Sequence, residues 1–102
     1  MSSPAATVYW FRRPQISACR EGENLILFDP DVAREKVVNH SGMAVWNAMD
    51  GTASGADLAA ELARHYAVPL TAEIQADAAA FAAELARDGF AAAAPTPARR
   101  PL

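Results

Sequence analysis

Cysteine occurs once, at Cys19, so no disulfide can close within the chain and no second thiol stands at metal-ligand spacing. Such thiol usage suits a reducing cytoplasm, and Cys19 is expected as a small apolar strand residue, buried or half-buried. Histidine is almost as scarce. His40 and His65 stand 25 positions apart with no Cys or His at ligand spacing, which makes no metal motif. There is no glycine-rich phosphate loop, no Gly-x-Ser-x-Gly elbow and no thiol with a base evident in the sequence. The reading is therefore of a protein that is not an enzyme, with no catalytic residue, no cofactor and no metal. No apolar run approaches the ~20 residues of a membrane span, and Met1-Ser2-Ser3-Pro4 lacks the basic and apolar regions of a signal peptide, so a soluble cytoplasmic protein is expected. Basic residues are sparse where they would matter for nucleic acid. From Ser41 to Phe90 seven acids face only Arg64 and Arg87, a balance that repels a phosphate backbone.

What is present is one domain's worth of chain, 102 residues of which 52% are hydrophobic, enough for a single modest core. Residues 1–12 read as a flexible N-terminal arm, although Val8-Tyr9-Trp10-Phe11 is apolar enough to be a short covering strand, a dimer contact or a partner-binding arm. Pro14 pushes the residue before it towards extended backbone. Gln15 to Arg20 then alternates, with Ile16 and Ala18 against Ser17 and Cys19, as a half-buried strand does. After the turn Glu21-Gly22-Glu23-Asn24, the continuous run Leu25-Ile26-Leu27-Phe28 predicts a central strand covered on both faces, ended by Asp29-Pro30-Asp31. Glu35 to Asn39 reads as a third strand, preceded by charges that guard an edge against promiscuous pairing.

The chain changes character at Val37-Val38-Asn39-His40-Ser41-Gly42. Two β-branched residues suit a strand, and Asn39 and Ser41 can cap the first turn of a helix. That helix is expected from Ser41 to Met49, with Met43, Val45, Trp46 and Met49 at helical spacing, closed by Asp50-Gly51. A second opens on the capping pattern Ser54-x-x-Asp57, carries Leu58, Leu62 and Tyr66, and is stopped by Pro69. A third begins near Thr71, presents Ile74, Ala78, Phe81 and Leu85, and is capped by Gly89. Alanine fills about a quarter of the chain, which favours helix but buries little area per residue. Residues 91–102 read as a disordered Pro/Ala-rich tail.

In the order and spacing of Leu27-Phe28-Asp29-Pro30, Val38 through Trp46, Met49-Asp50-Gly51, Ser54 through Leu58 with Leu62, and Asp77 through Leu85 before Gly89-Phe90, the chain resembles the PqqD family of peptide chaperones, also described as RiPP (ribosomally made, modified peptide) recognition elements. The resemblance implies an α+β winged helix-turn-helix domain over residues 13–90, a three-stranded antiparallel sheet followed by three helices. It implies binding of the leader segment of a precursor peptide by strand addition, and presentation of that leader to a modifying enzyme, commonly a radical-SAM protein, as in pyrroloquinoline quinone biosynthesis. Carried onto this sequence, the peptide groove is Lys36, Val37, Val38 and Asn39 facing Asp77, Ala78, Phe81 and Glu84. Partners are thus a leader peptide and an enzyme, with neither nucleic acid nor membrane, for a monomer or weak homodimer. The Arg34-Glu35-Lys36 run is more charged than the family's usual strand, and the third helix is richer in alanine. Two other classes compete: a winged helix-turn-helix DNA-binding regulator, which the acidic third helix disfavours, and a structural accessory subunit docked through Tyr9-Trp10-Phe11.

Overall fold

The computed structural model describes residues 7–98. Six strands and three helices occur in the order β1 (Tyr9–Arg12), β2 (Ser17–Glu21), β3 (Asn24–Asp29), β4 (Arg34–Val38), α1 (His40–Ala48), β5 (Asp50–Ser54), α2 (Gly55–Tyr66), α3 (Ala72–Arg87) and β6 (Ala91–Ala94). The class is α+β, but the expected single sheet followed by three helices is two antiparallel three-stranded sheets, ordered β2-β3-β4 and β5-β1-β6.

The second sheet corrects both termini. Tyr9–Arg12 is its central strand and not part of a flexible arm, and Ala91–Ala94 is an edge strand and not part of a disordered tail. Arg12 pairs with Ala91 and Tyr9 with Ala94, while on the other side Trp10 faces Ala53 and Tyr9 faces Ser54. An aromatic strand thus lies between two strands of small residues, which leave room for its rings. Expectations for residues 1–6 and 99–102 fall outside the described residues.

In the first sheet β3 is central, as expected, with Leu25, Leu27 and Asp29 turned inward and buried. Its other face is open: Phe28 is 39% exposed, so the strand is covered on one side only. β2 is exposed along its whole length, Cys19 included, which corrects the expected half-buried strand and buried thiol. The reason is position, since β2 is the sheet edge farthest from β4, and only Ile16, just before it, packs on the core.

The helices start as the capping residues require. Asn39 Oδ1 accepts from Gly42 N–H at 2.8 Å, Ser54 and Asp57 form a reciprocal capping box, and Thr71 Oγ1 accepts from Ile74 N–H at 3.2 Å. α3 stops where Gly89, at φ +85°, donates to Ala86 O while Phe90 donates to Leu85 O, a Schellman turn that delivers Phe90 fully buried into the core. Arg12 tethers the two sequence halves: its Nη1 donates to Asn47 O at 2.8 Å and to Trp46 O at 3.0 Å, the latter shared with the Met49 N–H that closes α1. The core joins Leu25, Leu27 and Val38 to Val45, Trp46, Met49, Leu58, Leu62, Ile74, Leu85 and Phe90. Tyr66, at the helical spacing of Leu58 and Leu62, is 51% exposed and does not share their burial.

Candidate functional site

One border of the first sheet is tied to a helix. β4 is an edge strand, and its Lys36 Nζ reaches across to Glu84 Oε1 at 3.0 Å and Asp88 Oδ2 at 3.1 Å on α3. The N-terminal strand, which pairs with β5 and β6, leaves that border free. Burial works against the Lys36 ammonium, but hydrogen bonds to and the charges of Glu84 and Asp88 outweigh it and hold its pKa above the ordinary lysine value. A further contact runs from Arg34 Nη1 to Asp88 O at 3.2 Å, so β4 and the end of α3 are joined by two cations. Charges beside an edge strand discourage pairing along its start, and here they also fix the spacing of strand and helix.

Two clefts, one between β4 and α3 and the other between the start of α1, α2 and α3, share Asn39 and the half-buried ring of Phe81. The first, about 280 Å³, is lined by Asn24, Lys36, Val37, Val38, Asn39, Phe81 and Glu84. The second, about 220 Å³, is lined by Asn39, Ser41, Gly42, Val45, Leu62, Tyr66, Asp77 and Phe81. Gly42 makes this arrangement possible: a Cβ there would meet Val38 Cγ1 at 2.8 Å and Phe81 Cζ at 2.9 Å. The absence of a side chain lets the Phe81 ring lie against the start of α1.

Of the residues expected at the groove, Lys36, Val37, Val38, Asn39, Phe81 and Glu84 line one cleft, and Asp77 with Asn39 and Phe81 lines the other. Ala78 lines neither; it is 1% exposed and belongs to the core beneath. Val38, 2% exposed, is floor, whereas Val37, 58% exposed, stands outward from β4. Sequence reasoning missed Gly42, Val45, Leu62 and Tyr66 as walls. The exposure of Tyr66 was not readable from its spacing, but a glycine two positions into a helix after Asn39 was a signal that something packs close.

A larger cavity than either cleft, about 510 Å³, lies elsewhere, against Ala44, Asn47, Asp50, Thr52, Asp57 and Arg64 among others. Its charges serve the fold. Asp50 accepts from the Thr52 hydroxyl and backbone N–H, which lowers its pKa, Asp57 closes the capping box, and Glu61 pairs with Arg64. His40 and His65, remote in sequence, meet edge to face at 4.7 Å between ring centroids. Even so, the described residues contain no group of three or more His, Cys, Asp or Glu side chains placed to hold a metal ion. None of the described helices is long and apolar enough to cross a membrane.

No curated protein and no solved structure matches the chain. A family model does, that of coenzyme PQQ synthesis protein D (PqqD), over residues 24–91, which include β3, β4, all three helices and every residue lining the two clefts. Since that span is about two thirds of the chain, the protein belongs to the PqqD family, the family of RiPP recognition elements.

Proposed function

We propose that this protein is a peptide chaperone that captures the leader of a ribosomally made precursor along β4 and presents it to a modifying enzyme, a radical-SAM protein in the setting the family name suggests, pyrroloquinoline quinone synthesis or a related peptide pathway. The observation that carries this reading is the open edge of β4 beside a groove divided by Phe81. An added strand would satisfy the outward N–H and C=O groups of β4, supplying affinity through main-chain hydrogen bonds, while the clefts take alternate side chains and supply choice. α2 and α3, joined by the short turn at 67–71 and packed together, with the β3–β4 hairpin as wing, fit a winged helix-turn-helix plan in which the recognition helix serves a peptide. The acids of α3 oppose DNA in that role, and no residue lining the clefts but Lys36 is basic.

Ordering a disordered leader costs several kcal/mol, so micromolar affinity, about 8 kcal/mol net, is expected, which leaves release to the enzyme feasible. The test is a titration of isotope-labelled protein with candidate leader peptides. Amides of Arg34 to Asn39 and Asp77 to Glu84 should move together and saturate. Shifts confined to other elements, or a mobility shift with duplex DNA that vanishes on adding salt, would reject the proposal.

A further inference from the structure

The two clefts differ in the charge they leave unanswered. In the first, Lys36 is held by Glu84 and Asp88, so its polar wall is already paired and its floor is Val38 and Phe81. In the second, the walls are Val45, Leu62 and Phe81, and the rim bears Asp77, whose carboxylate forms no ion pair among the described residues. Along an added strand, side chains on one face recur every second residue, about 6.8 Å apart. The two clefts adjoin at Asn39 and Phe81, so successive same-face side chains of an added strand can be assigned one to each.

Resting on the peptide reading, we infer that the groove selects a leader carrying an aliphatic residue and a lysine or arginine two positions apart. The aliphatic side chain enters the first cleft over Val38 and Phe81. The basic one lays its methylene stem along Val45 and Leu62 and brings its charge to Asp77, close to the Tyr66 ring, an arrangement that long cationic side chains favour. Asp77 is therefore a specificity-determining residue. The two-residue spacing holds whichever way the strand runs, because both directions share the same repeat.

The test is to pan a display library of random 12-residue peptides against the full chain and against Asp77→Lys, which changes an exposed helix position and should leave the circular dichroism unaltered. Selected peptides should share an aliphatic residue two positions from Lys or Arg. Against Asp77→Lys, the basic position should turn acidic. A selected peptide should bind Asp77→Asn about threefold to fivefold more weakly than the parent, the range of an exposed charge pair. The difference should shrink at high salt. Peptides that perturb the β4 and α3 amides without a basic preference, or that keep it against Asp77→Lys, would overturn this inference and leave peptide capture standing. Selection of no peptide, or of peptides that perturb other elements, would overturn the groove reading and this inference with it.

Discussion

Gly42 and Ala67 show how single residues set the groove and its frame. A methyl group at Gly42 would press on Val38, a buried β-branched side chain, and on the tip of Phe81, neither of which can retreat without opening the core or the cleft. Gly42→Ala should cost about 1–3 kcal/mol, the usual penalty for overpacking, and should weaken peptide binding by displacing Phe81. A urea melt read beside a peptide titration checks both. Ala67 ends α2 in the left-handed region at φ 56°, with its N–H on Arg64 O and the Val68 N–H on Ala63 O. Any residue with a Cβ is strained there, so Ala67→Gly should stabilise the protein by about 0.5–1 kcal/mol, visible as a higher urea midpoint at unchanged slope.

The pairing of β4 with α3 depends on Lys36. Most of its side chain is covered, but Glu84 and Asp88 are partly in water, so solvent screening keeps the contribution of the clamp modest. Lys36→Met should cost no more than about 1 kcal/mol while shifting the amides of Arg34 to Asn39 and of the end of α3. The pH dependence follows from the direction of the shift. Folding raises the Lys36 pKa, so its contribution is complete below the ordinary value of 10.5 and is lost as pH rises through the higher folded value. Asp50 runs the other way: its folded pKa lies below 3.8, so its contribution holds above 3.8 and disappears as pH falls through the folded value. Stability measured between pH 5 and 9 should be indifferent to both groups, and the Lys36→Met variant should lose its difference from the parent only in strong alkali.

The molecule closes on itself through β1. Its aromatic residues are flanked by β5 on one side and β6 on the other, and Trp10 packs against the core. A chain lacking residues 1–12 leaves two unpaired strands of small residues and an uncovered core surface, and should melt at a clearly lower temperature. Trp10→Ala, a gentler version, should cost about 2–3 kcal/mol, below the full penalty of a completely buried tryptophan because Trp10 is only half-buried. A truly flexible arm would change neither melting temperature. Because β1 lies on the sheet that does not contain β4, the same deletions should reduce peptide binding only as far as they reduce the folded fraction.

Caps and periodicities are local, and they were legible: Asn39, Ser54, Thr71 and Gly89 stand where helices begin and end, because each acts on backbone groups within a few residues of itself. The groove's principal members, Lys36 to Asn39 with Asp77, Phe81 and Glu84, were reached through likeness to a family rather than through periodicity, which marked Phe81 as one more core position. Asp50–Ser54 and Ala91–Ala94 carry turn-like and helix-favouring residues, so nothing in their own composition asks for a strand. They become strands because β1, distant along the chain, offers each an edge, and backbone hydrogen bonds to a remote neighbour outweigh local preference. The same physics exposes Cys19 and Tyr66 and brings Phe81 against Gly42. Burial depends on which elements arrive from elsewhere in the chain, and no short window of residues contains that information.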